Sequence, residues 1–365
     1  MNLTRQNGMT LVELMLASFI SLILLAGVGQ IFLSTKQLYA GDTEQADMQD
    51  TARYLLHYIG EQVHQAGMLG CAKLDATHYT SSIGAYDSIY FHPFHIGIQG
   101  YLKGNSILPP ILDSLPILSG SDIIVIRRAT EQGFRLVKQK SDSMFFAEYL
   151  SSETNACNGN TSNRINDICA DDILIAVDCQ KARSFVVSNI STAQDNGDTI
   201  VNIEHQANNN PANWGGPASA TPLDKFDVRD TIINKAATTA YYITTAGNFY
   251  AKVNDDPATL LASGIEQMRV LYGLDSDNDG SVNKYLSANL ISADPTVADN
   301  YNNVVSLQIA LLVRSQQPVL TVDELATTPT TVDYHLLDTT LSKNVDGYIR
   351  KVYSTTIHLR NRGAE

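Results

Sequence analysis

The hydrophobic pattern of this chain changes character twice. Residues 14–33, LMLASFISLILLAGVGQIFL, carry no charge, and about 20 apolar residues is what a helix needs to cross a bilayer. After Tyr39-Ala40-Gly41 the pattern turns amphipathic. Met48, Ala52, Leu55, Leu56, Ile59, Val63 and Ala66 recur at intervals of mostly three or four, with Asp47, Asp50, Arg53, Glu61 and Gln65 largely opposite. No proline precedes Pro93, and Gly67 and Gly70 supply a stop signal. The spacing predicts one helix from about Thr10 to about Met68, roughly 90 Å long. Its first half would sit in lipid or in the core of a filament, and its second half would lay an apolar stripe on a globular domain. Glycine costs about 1 kcal/mol in a helix interior, so Gly27 and Gly29 mark the expected place for a bend.

Beyond Cys71 the period shortens to that of strands. Asp122–Arg128, Asp172–Asp178, Arg183–Asn189, Thr199–His205, Ala240–Thr245 and Asn248–Val253 are short β-branched or apolar runs bounded by turn residues. Ile265–Leu274, Val304–Arg314 and Tyr348–Arg360 alternate cleanly, and each is expected to present one face to a core. His205–Lys225, rich in Asn, Pro and Gly, and Thr327–Asp346 read as loops. The fold class expected is α+β, with a mainly antiparallel β domain packed on the helix. Residues 9–70 form the helical part and 71–365 the globular part.

Charge then narrows the functions. Of 365 residues 44% are apolar, which says folded, and the formal net charge is −13. So acidic a surface disfavours nucleic acid and anionic headgroups. Arg127-Arg128, Arg360 and Arg362 are therefore read as solvated or as contacts to an acidic partner, and no nucleic-acid partner is expected. No G-x-S-x-G, H-E-x-x-H or P-loop occurs, so no enzymatic activity is expected. His92 and His95, near His78, lack a thiol or carboxylate at ligand spacing and are read as part of an aromatic turn.

Cys71, Cys157, Cys169 and Cys179 form no CxxC pair. Their even number behind an export-type N-terminus points to disulfides in an oxidising compartment. Four cysteines allow three pairings, among which the sequence does not choose. The expectation carried forward is Cys157–Cys169 as a local clasp and Cys71–Cys179 as a long-range staple, each worth roughly 3–5 kcal/mol in the chain-entropy model.

The N-terminal segment carries more than an anchor. Its apolar run is too long for a cleavable secretory signal, and its small residue, Gly8, comes before the run. Arg5 precedes the run while Asp42, Glu44, Asp47 and Asp50 follow it, the asymmetry of a cytoplasmic N-terminus. The order Gly8-Met9-Thr10-Leu11-Val12-Glu13 resembles the class III leader of type IV pilins and pseudopilins. The resemblance implies that residues 1–8 are a leader, that a prepilin peptidase cuts after Gly8 and methylates Met9, and that Glu13, fifth in the mature chain, serves assembly. Many major pilins have proline where this chain has Gln30.

Further segments resemble one subgroup, the PilW-type minor pilins. They are RYLLHYIGEQVHQAGMLGC (53–71), GSDIIVIRR (120–128), DDILIAVDC (171–179), GIEQMRVLYGLDSDNDGSVNKY (264–285), VVSLQIALLVRS (304–315) and VYSTTIHLRNR (352–362). The resemblance implies a type IV pilin-like fold and a minor pilin that helps to initiate a type IV pilus. Its partners would be other minor pilins, the major pilin and a PilY-type tip protein. It implies an inner-membrane single-pass protein with a periplasmic domain before assembly, and a place in the fibre or at its tip afterwards. Two alternatives stay open: a pseudopilin of a type II secretion system, and an anchored calcium-dependent adhesin or ligand-binding module.

The last alternative rests on DSDNDG, residues 275–280. Asp275, Asp277 and Asp279 alternate ahead of Gly280, with Ser281 offering a carbonyl and Asn283 a side chain, as in a calcium loop. The twelfth position is Leu286 rather than a bidentate Glu. An acidic surface turn reads equally well, so Ca²⁺ is an expectation of a non-EF site.

Overall fold

The computed structural model describes residues 10–70, 78–83, 94–154, 156–157, 163–206, 210, 225–277, 279–292, 301–319 and 330–359. Helix α1, Leu11–His64, runs unbroken through Gly27 and Gly29. It stops short of the expected Met68 for a local reason. Gln65 caps it, Gly67 adopts φ +72°, and the Gly67 N–H donates to the Arg127 carbonyl at 2.8 Å. Gly97 lies so close to the Gly67 backbone that a Cβ there would clash with it. The chain after His64 therefore docks on a strand instead of continuing the helix.

Strands β1 (Tyr79–Ser81), β2 (Ile98–Leu102), β3 (Asp122–Ser141), β4 (Met144–Glu148), β5 (Ser152–Glu153) and β6 (Arg164–Ile165) come first. They are followed by β7 (Ile173–Asp178), β8 (Lys181–Val186), β9 (Asn189–Asp195), β10 (Asp198–Glu204), β11 (Ile232–Ile243), β12 (Asn248–Val253) and β13 (Thr259–Ser263). A short helix α2, Pro110–Asp113, precedes β3. The large sheet has the order β1-β8-β7-β11-β3-β4-β10-β9, with β2 beside β3 and with β12 and β13 beyond the far half of β11. Among the described pairings only β1–β8 is parallel.

Strands β14 (Ile265–Leu274), β15 (Lys284–Ser287), β16 (Val304–Arg314) and β19 (Arg350–His358) form a second sheet in the order β15-β14-β16-β19. A one-turn helix α3, Ala288–Ser292, follows β15. Strands β17 (Thr331–Leu336) and β18 (Thr339–Asn344) pair with each other as a hairpin. The α1 stripe of Met48, Ala52, Leu55, Ile59 and Val63 shares one core with Ile124, Ile126 and Tyr241 of the large sheet and Met268, Val270, Ile309 and Leu311 of the small one. The helix is thus clamped by both sheets, in an α+β arrangement like that of type IV pilins.

The small sheet departs from the alternation read in the sequence. Both faces of β14 and β16 are buried, because the hairpin expected to be a loop covers the outer face. Leu336, Tyr334 and Leu341 pack on Ala310, Leu312 and Val352. Polar residues survive under this cover by pairing. Arg269 Nε donates to Asp338 at the hairpin tip at 2.8 Å, and Arg269 Nη1 donates to both oxygens of Asp122 at 3.2 and 3.3 Å. Asp122, at the start of β3, also accepts from the Val270 N–H at 2.7 Å. Burial pushes the Asp122 carboxyl up to about 7, against the pull of Arg269. One guanidinium therefore joins the large sheet, the small sheet and the hairpin.

Strand β3 runs well past the predicted Arg128. Pairs Asn234↔Gly133 and Ala236↔Ala129 leave residues 130–132 opposite Lys235 alone, a bulge that bends the strand. Its first half pairs with β2 and its second with β4. Arg127 is wholly buried, donating to the Ile96 carbonyl and to Gln99 Oε1, so it is core rather than a solvated charge. Arg360 and Arg362 lie outside the described residues.

Candidate assembly site and acidic loop

The start of α1 is a reciprocal cap. Glu13 N–H donates to Thr10 Oγ1 at 3.3 Å, while Thr10 N–H and Oγ1 donate to Glu13 Oε2 at 2.9 and 3.0 Å. A carboxylate in the first turn also faces the positive end of the helix dipole. Within a single chain, then, Glu13 is held by its own helix start. Thr10 is the partner that the leader resemblance does not single out. The signal for it is local: Thr-x-x-Glu ahead of an apolar run is the spacing of such a box. Gly8 and Met9 lie outside the described residues.

Residues 10–40 are all exposed, including Leu24, Leu25 and Phe32. Helix α1 is long and apolar enough there to cross a membrane. At 1.5 Å per residue, residues 11–40 reach about 45 Å beyond the domain. Among the described residues the first tertiary neighbours come at Gly41, opposite Val319 Cγ1, and at Glu44. The Glu44 Oε2 accepts the Gln316 and Gln317 N–H groups at 2.7 and 3.2 Å. This strap after β16 fixes where the free helix ends.

The acidic loop joins β14 to β15. Carboxylate oxygens of Asp275, Asp277 and Asp279 lie within 4.8 Å of one another, like charges whose repulsion a cation would relieve. Asp275 is buried and accepts from the Asp279 and Gly280 N–H groups at 3.3 and 2.8 Å. Gly280 takes φ +84°, which permits the sharp turn. Asn283 braces the loop. Its Oδ1 accepts from Ser276 N–H at 2.6 Å, and its Nδ2 donates to Asp277 at 3.2 Å. Ser281 N–H donates to Asp279 Oδ1 at 2.7 Å. The three aspartates are brought together with the hard oxygen donors that Ca²⁺ takes, while the Asn283 oxygen is committed to the loop itself.

Cys157 and Cys169 form a disulfide. Cys179 is disulfide-bonded as well, and Cys71 lies outside the described residues. His95 packs on the Tyr79 ring at 5.6 Å; His92 lies outside the described residues.

Residues 3–29 match the model of the prokaryotic N-terminal methylation motif. Residues 234–361 match that of type IV pilus-assembly protein W, PilW. Neither a curated relative nor a solved structure matches the chain. The second match runs from within β11 to just beyond β19 and takes in the whole small sheet, one of the two sheets that hold the helix. The two matches support a PilW-type minor pilin of the type IV pilus.

Proposed function

We propose that this membrane-anchored minor pilin takes part in initiating the type IV pilus, joining other minor pilins and a PilY-type tip protein in a complex from which the fibre grows. A prepilin peptidase and other pilus components are the interactions that its leader and family imply. The observation that carries the reading is the charge at the head of an apolar helix half that no other described element covers. Thr10 holds Glu13 in the lone chain, and cutting after Gly8 would place an amine on Met9, four residues away. In an assembly the carboxylate exchanges its cap for a neighbour's amine. A buried pair of that kind sets axial register more than it adds stability. The role is structural, not catalytic.

Deleting the chain tests this. Lost pili and twitching support it, whereas lost protein secretion with normal pili supports a type II pseudopilin. Normal pili with lost surface binding would support the anchored adhesin. Glu13→Leu sharpens the test. The variant is expected to insert in the inner membrane but to enter assemblies poorly, and normal piliation would count against the register role.

A second reading concerns the acidic loop, favoured by the convergence of three carboxylates. We propose that Asp275, Asp277 and Asp279 hold Ca²⁺. Calorimetric titration of the detergent-solubilised chain with CaCl₂ should give saturable heat that Asp277→Ala removes, and no heat in the wild type ends the idea.

A further inference from the structure

The bulge in β3 opens a cleft of about 410 Å³ lined by Arg128, Thr130, Phe134, Asn166, Asp167, Ile168 and Lys235. Of these positions only Lys235 falls within a matched family segment. Arg128 lies in the last regular pairs before the bulge and Thr130 lies in the bulge itself, and both line the cleft. The facing wall is a two-residue turn. Asn166 and Asp167 take φ +52° and +62° between the bridged Ile165 and Ile168, beside the Cys157–Cys169 disulfide. The floor is apolar, with Phe134 and Ile168 buried.

Most polar groups here already have partners. Asn166 bonds the Leu150 N–H and the Glu148 carbonyl, and Lys235 pairs with Asp172 at 2.9 Å. Arg164 engages Asp167 Oδ1 at 3.1 Å. Among the described residues no hydrogen bond or ion pair engages the half-buried Arg128 guanidinium or the Thr130 hydroxyl. An unengaged guanidinium fork, in a cleft that also holds an unengaged hydroxyl, suits a carboxylate in two-pronged contact. The Asp167 carboxylate on the opposite wall disfavours a multiply charged phosphate and can instead accept from ligand hydroxyls.

We propose that this cleft binds a hydroxylated monocarboxylate, an acidic sugar of the uronic type, with Arg128 on its carboxylate and Thr130, Asp167 and Lys235 on its hydroxyls. The volume falls within the range of small-ligand pockets. This inference is independent of pilus assembly and of the acidic loop.

The test is calorimetric titration of the full-length chain in detergent with galacturonate, galactose and inorganic phosphate. Saturable binding of galacturonate is expected, with galactose and phosphate at least about tenfold weaker. Arg128→Gln should weaken galacturonate about tenfold or more, and Arg128→Lys, which keeps the charge and loses the fork, by less. Neither variant should move the thermal unfolding transition, since among the described residues Arg128 has no hydrogen-bond partner to lose. A trigalacturonate arm identifies the source: binding at least as tight as the monomer supports the end of a glycan, and weaker binding supports the free acid. No saturable galacturonate binding up to about 20 mM would overturn the proposal. So would equal binding by Arg128→Gln, or phosphate or galactose binding as tightly as galacturonate.

Discussion

The two halves of α1 are one continuous helix in two different settings. Residues 11–40 touch no other described element of the chain, although they are its most apolar stretch. Residues 41–64 are far more polar, yet they bury Leu55, Ile59 and Val63 completely between two sheets. Apolarity alone therefore does not say what a segment packs against. An apolar stripe one side wide is partnered by the domain. A helix apolar all round is left for lipid and for neighbouring subunits. Glu44 and its strap mark the boundary.

The largest expected contrast comes from placing the same charge in each half. Leu55→Asp leaves an unpaired carboxylate in the shared core and should cost more than about 4 kcal/mol, enough to unfold the domain. Leu24→Asp should leave thermal unfolding of the domain within about 0.5 kcal/mol while impairing membrane insertion by about 3 kcal/mol. Equal effects on domain stability would break the comparison.

Next is the clamp that receives the packed half. Arg269→Ala strands the buried Asp122 carboxylate and is expected to cost about 3–5 kcal/mol by denaturant unfolding. The same site gives a pH dependence. Asp122 binds its proton more tightly when folded, since its carboxyl is raised from 3.8 to about 7. Its stabilising contribution is therefore complete below about pH 4 and is lost as pH rises through 7. Asp122→Asn should flatten the stability profile between those values, and an unchanged slope would show that Arg269 keeps Asp122 ionised throughout.

The smallest effect concerns the boundary itself. Glu44→Ala removes an acceptor shared by two backbone N–H groups and should cost about 1–2 kcal/mol. Amide exchange should rise at Gln316 and Gln317 before it rises in β16. Unchanged protection at those two amides would show that the strap stands without Glu44.

The helix and its division were legible because period and length were unambiguous over many turns. Most strands of the core were legible for the same reason. The hairpin 331–344 was not. Val332, Tyr334 and Leu336 do alternate, but the Thr, Asp and His between them make the segment look polar. The turn at Leu337-Asp338 has no Gly or Asn to announce it, and Leu337 takes φ +54°. The second buried face of β14 was hidden similarly. Glu266 and Arg269 look solvent-facing in sequence, yet Arg350 bonds Glu266 at 2.8 Å and Arg269 spans two aspartates. Long-range ion pairs have no local signature. At the acidic loop, the carboxylate spacing was readable, but the commitment of Asn283 to bracing depends on how the turn closes.

The clamped half of the helix also has a mechanical meaning. If the chain is built into a fibre, as proposed above, tension would reach it along the axis of α1, from its free end. The buried side chains from Met48 to Val63 lie in a row along that axis and pack on β16 and β19 as well as on the large sheet. Such a load shears all of those contacts together instead of peeling them one at a time. With the Glu44 strap as the first to be strained, the domain is built to resist being pulled off its own stem.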